Sequence, residues 1–178
     1  MSDLVSVREA RREDAWGIAR VRVDTWRVAY DGLIDDRILA ALDPEREGHR
    51  RAELWLENTA AAGAAQFVAE QNGVIVGWAA VGACRDDDRP GTGELHAIYV
   101  HPSLWSAGVG HELLTAATAS LRSSGFAEAS LWVLDRNERA AGFYERHGWI
   151  EDGVVKSEQS SLAEAPPLIE RRRVIRFE

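Results

Sequence analysis

Gly93–Trp149 reads GELHAIYVHPSLWSAGVGHELLTAATASLRSSGFAEASLWVLDRNERAAGFYERHGW, and the order of its pieces decides the fold. Glu94–Val100 alternates as a strand does, and the following loop ends in Gly108-Val109-Gly110. An amphipathic helix from about Val109 to Ser123 starts there at once. A second strand near Ser130–Leu134 leads to Asn137, and a short helix from Glu138 to His147 carries Phe143 and Tyr144 before Gly148. Glycines let a backbone approach a ligand closely, and free N–H groups at a helix start attract anions. A loop of this kind can hold a pyrophosphate without a basic side chain. Order and spacing together suggest a site for a long, phosphate-bearing cofactor with a reactive end.

Outward from this stretch the chain reads as mixed α and β. Val5 and Val7 alternate with polar residues and predict a first strand. A helix from about Asp14 places Ala15, Ala19, Val23, Trp26 and Tyr30 at helical spacing and breaks at Gly32. A second helical region spans roughly Asp36 to Glu57, punctuated by Asp43-Pro44, where proline suits the first turn of a new helix. Gln66–Gln71 and Val74–Cys84 flank Asn72-Gly73, a strong hairpin signal. Arg85–Gly91 is an acidic, exposed loop, and final strands near Ile150–Ser157 and Leu168–Phe177 are joined by a polar loop through Pro166-Pro167. With no internal repeat and no long linker, residues 1–178 are expected to form one α/β domain.

Composition narrows the function. The 178 residues, 46% hydrophobic and 28% charged, suffice for one packed core. The single cysteine, Cys84, cannot form an internal disulfide and suits a reducing, cytoplasmic setting. MSDLVSVREARRED has no apolar core of signal-peptide type, and no apolar run approaches the roughly 20 residues of a membrane span. A net charge of −8 argues against nucleic acid. The run Arg171-Arg172-Arg173 is the local exception and reads as a solvated strand face, since it alternates into Val174, Ile175 and Phe177. The histidines show no metal-ligand spacing, so no metal is expected. Two familiar phosphate loops fail: a P-loop needs Gly-Lys-Ser/Thr, where this chain has Gly110-His111-Glu112. A dinucleotide loop needs a glycine where Leu113 stands.

The segment resembles the acetyl-CoA-binding core of the GNAT superfamily of N-acetyltransferases. That family's loop follows R/Q-x-x-G-x-G/A, and this chain reads Trp105-Ser106-Ala107-Gly108-Val109-Gly110. Both glycines match; Trp105 replaces Arg or Gln, and Ala107 a common basic residue. The block N-x-x-A-x-x-x-Y-x-x-x-G-aromatic is met by Asn137, Ala140, Tyr144, Gly148 and Trp149. The likeness is close over about 93–150 and loose over 5–83.

The resemblance implies a mixed, mostly antiparallel sheet flanked by helices, and direct acetyl transfer to a primary amine in a ternary complex. It places the cofactor on the strand at Ile98, Tyr99 and Val100, on the loop from Trp105 through Ser106, Ala107, Gly108, Val109 and Gly110 to His111, and on Asn137 and Tyr144. In the family the Ile98 and Val100 N–H groups would bind the pantetheine arm and the acetyl oxygen. Tyr144 would be the general acid, although an aromatic in the stripe Ala140, Phe143, Tyr144 and His147 is also ordinary core. Asp135 with Glu138 forms a capping-box pattern, which would free Asn137 from capping for a ligand contact. Strand alternation puts Glu94, His96, Ile98 and Val100 on one face, so Glu94 or His96 is the candidate base. Trp26, Tyr30 and Asp31 fall where the family closes over its acceptor, with elements 14–57 and 150–177 building that site. The acidic surface and the Asp86–Asp88 loop favour a cationic amine. The acceptor itself, small molecule or protein amine, is open, as is a homodimer. A non-catalytic acyl-CoA-binding module and a small nucleotide-binding domain are the rival readings.

Overall fold

The computed structural model describes residues 4–160, 162 and 164–178. Its elements run β1 (Val5–Glu9), α1 (Ala15–Ala29), α2 (Asp36–Ala40), α3 (Pro44–Glu53), α4 (Trp55–Ala60), β2 (Ala65–Gln71), β3 (Val74–Ala83), β4 (Gly93–Val100), α5 (Val109–Ser123), β5 (Glu128–Leu134), α6 (Glu138–Arg146), β6 (Ile150–Glu158) and β7 (Leu168–Arg176). The strands form one seven-stranded sheet in the order β1-β2-β3-β4-β5-β7-β6. Only β4 and β5 pair in parallel; the other neighbours are antiparallel. This is the α/β arrangement expected, a mixed sheet with helices on both faces. Among the described residues no helix is long and apolar enough to cross a membrane.

Alternation along β2 and β3 divides their side chains between two cores. Ala69, Ala79 and Val81 pack with Leu113, Ala117 and Leu121 of α5. Val68, Trp78 and Ala80 face Ile18 of α1 and Trp55 on the other side. The β2–β3 turn has Asn72 at φ 51° and Gly73 at φ 78°, the left-handed pair that a tight hairpin needs. The helical region expected to restart at Asp43-Pro44 does so and divides once more at Leu54, giving three helices. Asp35 caps α2 by accepting from Arg37 N, and Asp43 caps α3 by accepting from Glu45 N and Arg46 N, with Pro44 at its first turn.

A bulge corrects the alternation expected for β4. Ala97 pairs with Ala80 and Leu95 with Val81, so His96 has no partner of its own on β3. The extra residue reverses the faces beyond it. Leu95, Ile98 and Val100 share the α5 side, while Ala97 and Tyr99 join the α1 side. Glu94 and His96 still share a face, but Ile98 and Val100 have left it.

The arginine run is also corrected. β7 lies between β5 and β6, so it is an inner strand, and Arg172 and Arg173 are only 4% and 9% exposed. Arg172 donates to Asp88 (2.8 Å), Asp152 (2.8 Å) and Asp86 (3.4 Å), and Arg171 donates to Asp135 (2.6 Å) and Glu151 (3.0 Å). Two aspartates of the acidic loop are thereby paired, and the loop is tied to the sheet. Buried arginine needs such partners because an unpaired charge is costly away from water. Arg172→Ala, which leaves Asp86 with the Trp132 indole N–H and Asp152 with the Val154 amide but neither with its cation, is expected to cost about 3 kcal/mol of stability in a urea titration.

Candidate active site

β4 and β5 pair only at Gly93–Ala129 and Glu94–Ser130 and then part. A cleft of about 450 Å³ opens in the gap, walled by the end of α1, β4, the β4–α5 loop, β5, α6 and parts of β6 and β7. His101 N donates to Val76 O, which fixes the direction of the peptide groups before it. Successive residues of a strand alternate sides, so the Ile98 and Val100 peptide groups point into the gap. Two side chains reach the Val100 carbonyl there: Thr25 Oγ1 (3.1 Å) and Trp105 Nε1 (2.8 Å). The Ile98 and Val100 N–H groups share that side.

At the far end of the cleft the loop turns into α5 through Gly108, whose φ of +88° is left-handed and suits glycine. No side chain caps α5, and its first backbone bond in this stretch is Glu112 N to Gly108 O. The N–H groups of Val109, Gly110 and His111 thus form an uncapped helix start. Ala107 N instead donates to Leu104 O (3.2 Å), so that amide is used within the loop. The Val109 side chain is core, whereas Ser106 and Ala107 are exposed. A side chain at Gly110 would meet the Phe143 ring at 3.4 Å, so α6 lies close against the loop. His147 Nδ1 contacts Phe143 O at 2.8 Å and Nε2 contacts His111 Nδ1 at 2.9 Å, which makes His111 the donor between the rings.

At the near end all three tyrosines of the chain converge, although they come from the C-cap of α1, from β4 and from α6. Tyr144 lies in the core beside Phe143 and also lines the cleft. Burial raises its pKa well above the ordinary phenol value, with Tyr99 adding to the rise and Arg139 opposing it. Burial likewise raises Tyr30, which meets both Tyr99 and Tyr144. Trp26 stands edge-on to Tyr30 at 4.8 Å, with its Nε1 buried and no acceptor among the described residues. Asp31 is exposed and takes no part in the wall. Tyr99 stacks on Trp78 at 6.0 Å, on the α1 side of the sheet.

Asn137 departs from the expected capping. Its Oδ1 accepts from Ala140 N (3.2 Å) and caps α6, while Asp135 is drawn away to Arg171. The capping pattern fails because β7 offers Asp135 a charged partner. Asn137 lines the cleft, and a ligand would meet its NH2 group. Sequence reasoning also passed over Thr25, Arg85 and Arg139. The guanidinium of Arg139 stacks over the Trp105 ring at 3.5 Å. A buried threonine on an apolar helix stripe is the one local signal that pointed to any of these.

Glu94 and His96 do sit together. Glu94, 2% exposed, accepts from Arg85 N (2.9 Å), Nε (3.2 Å) and Nη2 (2.5 Å). Burial would raise its carboxyl, but these donors prevail and hold its pKa below the ordinary value. His96 Nε2 lies 3.1 Å from Ala83 O and 3.9 Å from Glu94 Oε2. Donation to Ala83 leaves Nδ1 as the ring's acceptor, and burial lowers its pKa below 6.5. No group of three or more His, Cys, Asp or Glu among the described residues is placed to hold a metal ion. Arg85→Ala is expected to cost about 2 kcal/mol at neutral pH, less than a fully buried pair because Arg85 is 65% exposed. Glu94 is depressed in the folded state, so the pair contributes above the unfolded carboxyl pKa and fades as pH falls through the folded one. The difference between the two proteins in urea should therefore shrink on acidification.

Residues 30–149 match the model of the acetyltransferase (GNAT) family. The chain is 33% identical over 135 residues to an uncharacterized N-acetyltransferase, YuaI, of Bacillus subtilis, covering 75% of this chain and 74% of that protein. It is 32% identical over 122 residues to the L-amino acid N-acyltransferase MnaT of Escherichia coli, covering 68% and 65%. The PaiA N-acetyltransferase of Thermoplasma acidophilum, solved in complex with coenzyme A, shares the fold with a TM-score of 0.72 at 16% identity, covering 98% and 99%. A chain matched over this span, and a third identical to an N-acetyltransferase across most of its length, belongs to the GNAT family of acetyltransferases.

Proposed function

We propose that the chain transfers the acetyl group of acetyl-CoA to a primary amine by direct attack within a ternary complex. The parting of β4 from β5 carries this reading, because it points strand amides into a cleft that ends at an uncapped helix start. The Val109, Gly110 and His111 N–H groups and the helix dipole suit a pyrophosphate. The Val100 N–H and the Asn137 NH2 hold the pantetheine arm, and the Ile98 N–H stabilises the oxygen of the thioester as negative charge develops. Side chains of Trp105, Ser106 and Tyr99 shape the channel, and Trp26 and Tyr30 cover the acceptor.

The chemistry needs a neutral amine, a stabilised oxyanion and a proton for the thiolate. The amine nitrogen bonds to the thioester carbon, the C–S bond breaks, and Tyr144 donates its proton to sulfur. Burial keeps the phenol protonated but makes it a weaker acid, so its O–H first hydrogen-bonds the departing sulfur and the proton passes late, as the C–S bond breaks. His96, neutral and with Nδ1 free as an acceptor, takes the proton from the amine directly or through water. Glu94, already holding three donors and kept ionised, is a weak base and acts as a positioning residue for the His96 wall. MnaT is named for L-amino acids, and a small amine of that class suits an acceptor site closed by Trp26 and Tyr30.

Calorimetry with acetyl-CoA and NAD, paired with thiol detection over an amine panel, tests the whole reading. NAD binding without CoA binding overturns it, and CoA binding without thiol release supports a non-catalytic module. Tyr144→Phe is expected to lower kcat about 100-fold, with the acetyl-CoA Kd changed only a few-fold. An unchanged kcat with chemistry rate-limiting removes Tyr144 as the acid. A base works deprotonated, so kcat should fall as pH drops through the His96 pKa, and burial puts that limb below pH 6.5. His96→Ala should abolish the limb; its persistence assigns the base elsewhere.

A further inference from the structure

The cations on the cleft wall are not equivalent. Arg85 is held by Glu94, and Lys156 is held at 3.1 Å by both Glu158 and Glu170. Arg139 lines the same cleft, yet no acid among the described residues pairs with it. Its guanidinium lies instead on the Trp105 ring, 3.5 Å from the centroid. Trp105 is itself fixed by donating to Val100 O, so the aromatic support is anchored to the end of β4. A stacked guanidinium keeps its edge N–H groups free, and it is oriented in advance to receive a planar anion.

The direction of α6 decides which anion that is. At its C-terminal end Phe143 packs on Gly110 and His147 meets His111, beside the α5 start proposed for the phosphates. Arg146, also on the cleft wall, belongs to that end. At its N-terminal end Arg136 donates to Gly32 O (3.2 Å), which ties α6 to the segment between α1 and α2. Arg139 stands at this second end, on the cleft wall that it shares with Tyr30 and Tyr144. The free guanidinium is thus at the acceptor side of the reacting centre.

We infer that Arg139, braced by Trp105, binds a carboxylate of the acceptor and so selects amines that carry one, such as α-amino acids. The inference rests on the transferase reading above. A forked, charge-assisted contact would orient the amine toward the thioester and would reject the same amine with its acid converted to an amide.

The test compares L-amino acids with their carboxamides, using the full chain, acetyl-CoA and thiol detection. Wild-type protein should prefer the acids by about 10- to 100-fold in kcat/KM, the worth of a charge-assisted contact. Arg139→Ala should bring that ratio close to one, with the loss falling on the acids and mainly in KM. Arg139→Lys should keep part of the preference, since it retains the charge and loses the fork. Calorimetry on both variants checks that they fold and that acetyl-CoA still binds with similar affinity. A ratio unaltered in Arg139→Ala, a wild type that prefers the amides, or a variant that mainly loses acetyl-CoA affinity overturns the assignment while leaving the transferase reading in place. A wild type that binds acetyl-CoA but releases no thiol with any amine overturns the transferase reading, and the Arg139 assignment with it.

Discussion

Two paired strands that separate after two residues leave backbone groups with no partner in the sheet, and the site is organised around that gap. A buried peptide group left unpaired is costly, so the fold must answer for each one. On the carbonyl side the answer is internal: Thr25 from α1 and Trp105 from the loop both donate to Val100 O. On the amide side the Ile98 and Val100 N–H groups remain turned toward the cleft. The same gap is the cleft itself, so a ligand entering it meets those donors.

The rest of the molecule holds the gap open and fixes what borders it. α5 and α1 clamp opposite faces of β3 and β4, so β4 cannot swing back toward β5 without losing one of two cores. β5 is held on its other side by β7, which pairs with it along its whole length. β7 is itself anchored through Arg172, which gathers Asp86, Asp88 and Asp152. Asp86 and Asp88 of the acidic loop thus serve as structural fastenings. Arg139, with no acid paired to it among the described residues, is held instead by the Trp105 ring.

Much of the fold was legible in the chain because its signals are local. Asn72-Gly73 predicts a hairpin through backbone dihedrals that few other pairs adopt, and Asp43-Pro44 marks a helix start for the same reason. The loop Trp105–Gly110 and the block from Asn137 to Trp149 were legible as a family pattern that covers the cofactor side. Other features were not. The bulge at His96 depends on how β3 pairs with β4, and period-two counting cannot see an extra residue. Asp135 looked like a helix cap until Arg171, from a strand 36 residues away, claimed it. Arg172 looked solvated because its three acidic partners lie 20 to 86 residues distant.

By itself the sequence determined the elements, their order, the glycine turn into α5 and the family to which the cofactor side belongs. These follow from short-range sterics, periodicity and fixed spacing. Only the tertiary structure decided which groups face one another across the cleft: three tyrosines from distant parts of the chain, His96 turned to Ala83, Glu94 ion-paired with Arg85, and Arg139 stacked on Trp105. Charge and proton chemistry depend on distances between residues remote in the chain, and those distances exist only once the sheet has formed and parted.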